Sequence, residues 1–187
     1  MTDDARFARL VSLACHDLRT PLATVFGFAR MLERAGELDA QSVRFVGMIS
    51  EGSAEMAGLL DELGVVARIE AGRWEPALVE VDTLDLASAG DERIAVTGRG
   101  ETIETEPEAV RRALKALAIA AVRHGPVETV TWAVDGRELE LEQVTPAAGP
   151  IVVGEEIRDL GALVANSVIE TLGGSVALAG DRLRVSL

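Results

Sequence analysis

The sequence predicts an α+β protein in which a two-helix hairpin precedes a two-layer domain of helices packed on a sheet. Three observations predict it. Apolar residues recur in alternating steps of four and three through two stretches of about thirty residues each. A segment punctuated by Gly and Pro, A-G-R-W-E-P (71–76), then ends that period. Beyond it, short runs of strand-forming residues alternate with helical ones and are separated by turn dipeptides.

The first helix is expected from residue 3 to about 35, with Phe7, Val11, Ala14, Leu18, Pro21, Val25, Phe28 and Leu32 along its seam. Gly36 suits a C-terminal cap and Asp39 an N-cap, so a second helix should follow from about 40 to 71. Its seam carries Val46, Ile49, Ser53, Met56, Leu60, Leu63 and Ala67. Each helix would be about 45 Å long at ~1.5 Å per residue. A lone pair leaves half of its apolar surface wet, so the expected solution is a homodimer closing a four-helix bundle.

From residue 75 the expected strands are A-L-V-E-V (77–81), R-I-A-V-T (93–97) and E-T-I-E-T (101–105). Pro107 belongs at a helix start, where its missing N–H costs nothing, and that helix should reach about residue 123. Strands over 127–134 and 138–144 follow, joined at Asp135-Gly136. A long helix over 155–172 ends at Gly173-Gly174, and a closing hairpin (175–179 and 182–186) turns at Gly180-Asp181. The organisation is therefore a helical hairpin at 1–74 and a helix-on-sheet domain at 75–187.

Composition excludes several classes of function. Aromatic residues are only 3% of the chain against 48% hydrophobic overall, so the core must be built from Ala, Val and Leu. The net charge of −13 argues against nucleic acid, whose binders present a basic face. A single cysteine, Cys15, precludes an internal disulfide, and two histidines offer no zinc-ligand spacing. No apolar run reaches the ~18 residues of a membrane span and M-T-D-D-A-R is not a signal peptide, so a soluble cytoplasmic protein is expected.

The chemistry concentrates in A-C-H-D-L-R-T-P-L (14–22). Heptad placement puts His16 at f, farthest from the seam, with Cys15 at the bundle edge and Thr20 one turn on. Pro21 cannot donate to the carbonyl of Asp17, so a bend is expected just after the histidine. An ordinary imidazole titrates near pH ~6.5, which keeps one nitrogen available as a nucleophile. Asp17 is placed to bind one ring nitrogen and raise the basicity of the other.

H-D-L-R-T-P-L closely resembles the phosphoacceptor motif of the bacterial histidine kinases, and the end of the second helix, L-D-E-L-G-V-V-A-R-I-E-A-G-R-W (60–74), resembles the end of that family's dimerising hairpin. The resemblance implies that residues 1–74 are a dimerisation and histidine-phosphotransfer domain. It implies a nucleotide-binding fold for the remainder, and there the family's motifs fail. Its two helix asparagines, one a magnesium ligand, align with Ala116 and Ala120, whose methyls cannot bind a hard cation. Its adenine-reading aspartate is missing from Q-V-T-P-A-A-G-P-I (143–151), although Gly149 remains. Asp159 replaces a glycine before the helix that should receive phosphate, while Gly161 is kept. The link from Gly149 to Glu155 is too short for a mobile lid.

The resemblance therefore implies a histidine phosphotransferase without kinase activity of its own, relaying a phosphoryl group between response-regulator receiver domains. The partners are receivers, including one carried by a hybrid histidine kinase. His16 would be the nucleophile, Asp17 its orienting group, Arg19 a contact to the partner or to its phosphoryl group, and Thr20 a position for hydrolytic water. No cofactor or metal site of the chain's own is expected: ATP is not bound and the receiver supplies magnesium. The alternatives are a divergent active sensor kinase and a pseudokinase that sequesters a regulator or kinase. Other features read as structural: Gly98-Arg99-Gly100 as a turn, His124 as a helix-dipole partner or surface residue, Trp74 and Trp132 as packing groups, and Arg111-Arg112 as a solvated face.

Overall fold

The computed structural model describes residues 3–36, 38–88 and 90–187. The chain divides into two compact units between Arg73 and Trp74.

The first unit is a hairpin of α1 (Asp3–Ala35) and α2 (Ala40–Glu70). Gly36 has φ 68°, a left-handed conformation that a glycine takes without a Cβ clash, and it ends α1. Asp39 caps α2 by accepting from the Ser42 N–H at 2.8 Å. The two helices meet along small residues: Ala8, Cys15 and Ala29 on α1, with Val46, Ser50, Ser53, Gly64 and Ala67 on α2. Small side chains let the helix axes approach closely.

Two expectations need correcting here. Cys15 lies on this seam with 3% of its surface exposed, not at the bundle edge, because the hairpin packs on its small-residue stripe. Phe7, Leu18, Val25, Phe28 and Leu32 of the expected α1 seam, and Ile49 and Met56 of α2, are exposed in the single chain. A two-helix pair covers one narrow stripe, so the larger residues beside that stripe stay uncovered.

The second unit carries a five-stranded sheet, ordered β2-β4-β5-β7-β6, and a separate two-stranded ribbon, β1-β3. The strands are β1 (Val79–Asp82), β2 (Ile94–Gly100), β3 (Thr102–Thr105), β4 (Val130–Gly136), β5 (Glu138–Glu142), β6 (Ser175–Ala179) and β7 (Arg182–Ser186). Only the β2–β4 pair of the five-stranded sheet is parallel. Its return passes through β3 and α4 (Pro107–His124), the long connection that parallel strands require.

Period-two alternation sends Val130, Trp132, Val134, Leu139, Leu141, Leu183 and Val185 to one buried face. Val110, Leu114, Leu117 and Ala121 of α4 are buried with Ala162, Ala165 and Ile169 of α6 (Leu160–Thr171), and these two helices pack on each other. Burying each Val, Leu or Ile contributes about 1.5–3 kcal/mol. The opposite face is polar: Glu140 sits between Arg182 and Arg184 at 2.9 and 2.8 Å. Two short helices, α3 (Thr83–Ala87) and α5 (Gly149–Val152), complete the unit.

The expected single sheet is thus two, because β1 and β3 pair with each other and not with the main sheet. Gly98-Arg99-Gly100 is not a turn but the end of β2, paired with Val134, Asp135 and Gly136. Glycine is needed there for close approach. Gly98 has φ 104°, and a Cβ on it would stand 2.0 Å from the Val134 carbonyl oxygen. The β4–β5 turn residues are Gly136-Arg137, one position beyond the expected pair, since Asp135 already pairs with Glu138. Gly136, with φ 62°, supplies the positive φ at the first central position of a tight hairpin. The last helix starts at Leu160 and not near 155, because Asp159 caps it.

Candidate phosphoacceptor site

His16 stands on the exposed face of α1, its side chain 77% accessible. Its Nδ1 is 3.0 Å from Asp17 Oδ1. With the proton on Nδ1 donated to that carboxylate, Nε2 carries the free lone pair and faces outward. One turn on, the Thr20 carbonyl accepts from Thr24 Oγ1 at 3.1 Å, while the Thr20 hydroxyl has no hydrogen-bond partner among the described residues. Helix α1 runs unbroken past Pro21.

His16, Arg19, Thr20, Ala23 and Thr24 line an open groove of about 580 Å³. The spacing of these residues places them on one side of α1, and all but the two charged-type residues at its top are small, which is what leaves the space. Arg19 is held from the other helix: its Nη2 donates to Asp61 Oδ1 at 2.6 Å. The structure therefore brings His16, Asp17, Arg19 and Thr20 together within one helical turn. It adds Asp61, which pairs with Arg19 from 42 positions along the chain and carries no local signal of that pairing.

In the second unit the residues aligned with nucleotide ligands are engaged in packing. Ala120 is fully buried and Ala116 half-buried in α4. Asp159 caps α6 by accepting from the Ala162 N–H at 3.1 Å, and its other oxygen takes Arg123 Nη1 at 2.8 Å and His124 Nε2 at 3.0 Å. Burial pushes the Asp159 carboxyl up, but the Ala162 amide, His124 and Arg123 outweigh it and hold the pKa below the ordinary aspartate value. His124 is thus more than a surface residue at the end of α4: it ties that end to the start of α6. Among the described residues no cluster of three or more His, Cys, Asp or Glu could hold a metal ion, and no helix is long and apolar enough to cross a membrane.

The profile of the His Kinase A (phospho-acceptor) domain matches residues 8–72, the whole span that carries this site. Residues 8–72 are thus a histidine kinase phosphoacceptor domain, and the chain is similar to bacterial histidine kinases. Among curated relatives, the chain is 25% identical over 178 residues to the uncharacterized sensor-like histidine kinase R01002 of Rhizobium meliloti, covering 85% of the present chain and 33% of the relative. It is 25% identical over 170 residues to the histidine protein kinase DivJ of Caulobacter vibrioides, covering 82% and 28%. The sensor protein DivL of the same organism is 28% identical over 78 residues, 42% of this chain and 10% of DivL. The chain spans a third or less of each of these relatives.

Solved structures share the fold. Full-length ShkA in complex with AMPPNP superposes at a TM-score of 0.67 with 22% identity, covering 95% of this chain and 44% of ShkA. The Acinetobacter baumannii histidine kinase AdeS does so at 0.58 with 15% identity, covering 91% and 97%.

Proposed function

We propose that this chain is a histidine phosphotransferase that passes a phosphoryl group between response-regulator receiver domains through His16, without ATP-dependent autophosphorylation. The observation that carries the reading is Asp159. Where the family fold would present a helix terminus to nucleotide phosphates, the chain places its own carboxylate, already bonded to Arg123 and His124. The phosphoacceptor motif, by contrast, is intact and open.

In the proposed reaction Nε2 of His16 attacks the phosphorus of a receiver's aspartyl phosphate. The N–P bond forms as the acyl P–O bond breaks, and the carboxylate returns to the receiver. Asp17 stabilises the imidazolium that results, through its contact with Nδ1. Transfer to a second receiver runs the same bonds in reverse. The magnesium that neutralises the transferring charge belongs to the receiver in this scheme. Thr20, which lines the groove, positions water when the phosphoryl group is hydrolysed instead.

The working form in this proposal is a homodimer. Phe28, Met31, Phe45 and Met48 near the hairpin turn are all more than half exposed in one chain, and a second copy offers the same apolar stripe in return.

The test is a phosphotransfer assay. Purified chain is mixed with a panel of receiver domains, one of them phosphorylated, and acid-labile label is followed on each protein. Label should pass through the wild type and stop with His16→Gln. In a parallel arm with radiolabelled ATP and magnesium and no receiver, the chain should stay unlabelled. Labelling of His16 in that arm identifies a divergent kinase. Receiver binding without any label on His16 identifies a sequestering pseudokinase.

A further inference from the structure

The groove beside His16 contains one cation, Arg19, and that cation is tethered to the other helix. An exposed arginine otherwise spreads over many rotamers, and fixing it costs side-chain entropy. Asp61 fixes it by a charge-assisted bond of 2.6 Å to Nη2. This bond uses one corner of the planar fork. Nε and Nη1 have no partner among the described residues and remain available to a ligand in the groove. Both side chains are about half exposed, so the pair contributes little to folding. Its geometry therefore calls for a role other than stability.

We propose that Asp61 is a positioning residue for phosphoryl transfer. It holds the Arg19 guanidinium at the groove wall, one turn from His16, so that two N–H donors stand ready for the oxygens of a phosphoryl group entering or leaving Nε2. Developing charge is stabilised best by a donor that need not reorganise at the moment of reaction. The inference rests on the proposed role of His16.

The experiment uses the full chain and potassium phosphoramidate, a small phosphodonor that needs no docking surface. Nε2 attacks phosphorus, the P–N bond breaks and ammonia departs with its proton. Initial rates of phosphohistidine formation are read across donor concentrations. Asp61→Asn should lower the saturated rate about fivefold, with little change in the donor concentration at half-maximum. Asp61→Glu should retain most of the rate. Arg19→Ala should be equally slow, and adding Asp61→Asn to it should slow it no further. The exchange of Arg19→Asp with Asp61→Arg keeps an ion pair across the hairpin but moves the guanidinium to α2, and it should not restore the rate.

The proposal is overturned if Asp61→Asn labels at the wild-type rate, if it slows the Arg19→Ala chain by the same factor, or if the exchanged pair is as fast as wild type. An unlabelled wild-type His16, in contrast, overturns the phosphotransfer reading itself.

Discussion

His124 Nε2 and Asp159 Oδ2 stand 3.0 Å apart and join the end of α4 to the beginning of α6. The carboxylate is almost wholly buried and takes three donors, so removing the side chain strands Arg123 and His124 and uncaps a helix.

Asp159→Ala should lower the unfolding free energy of the second unit by about 1–3 kcal/mol, the range for a lost cap and a broken part-buried network. The sign with pH follows from the direction of the shift. The folded pKa lies below the ordinary value, so the stabilisation is complete above the unfolded pKa and is lost as pH falls through the folded one. Urea titrations at pH 7 and at pH 3 should show the wild-type advantage over Asp159→Asn shrinking at the lower pH. An advantage that grows on acidification would contradict the assignment.

Asp17 should matter to rate and not to fold. Asp17→Asn keeps a polar contact to Nδ1 but removes the charge that favours the imidazolium, so phosphorylation of His16 should slow by about 10-fold to 100-fold. Circular dichroism should be unchanged, since both groups are mostly exposed.

Gly98→Ala should destabilise the second unit by more than about 2 kcal/mol, because its Cβ meets the Val134 backbone at 2.0 Å as well as a left-handed φ. Gly180→Ala, where φ is also positive but the space is open, should cost about 1 kcal/mol. Thermal melts of the two variants separate the steric term from the conformational one.

The thiol of Cys15 is packed against α2, so a thiol-reactive dye should modify the native protein slowly and reach its full extent only in denaturant. Rapid native labelling would mean that the hairpin opens at this level.

Charge placed on the apolar stripe should separate the proposed dimer. The double variant Phe28→Glu with Met31→Glu should elute as a single chain in light-scattering chromatography, whereas the wild type should elute as two.

The parts of this fold that the sequence made legible are those encoded locally. Gly36, Asp39 and Pro107 announce helix ends by their own conformational needs, and the Gly180-Asp181 turn announces its hairpin. What was misread depends on partners far along the chain. Gly98 and Gly100 look like turn residues in a short window. They are glycine because Val134 and Asp82 come close from elsewhere. A heptad count along α1 puts Cys15 at the bundle edge, whereas the hairpin packs on its own small-residue stripe. The site divides the same way. His16, Asp17 and Thr20 are neighbours on one helix and were legible as a motif, while Asp61 reaches Arg19 only after the hairpin closes, and Arg123 and His124 reach Asp159 only after α4 and α6 pack.

The order of strands has a consequence for how the second unit is made. β7, the last strand in the sequence, lies between β5 and β6, so the sheet has a gap in its middle until residues 182–186 arrive. A nascent chain cannot assemble this sheet progressively from one edge. Until then β5 offers an unpaired, apolar-faced edge to any other strand, which is the condition for misassociation during synthesis. Loss of those five residues should therefore cost the unit far more than their number suggests, since they carry Leu183 and Val185 into the core and are the tether that holds β6 to the sheet.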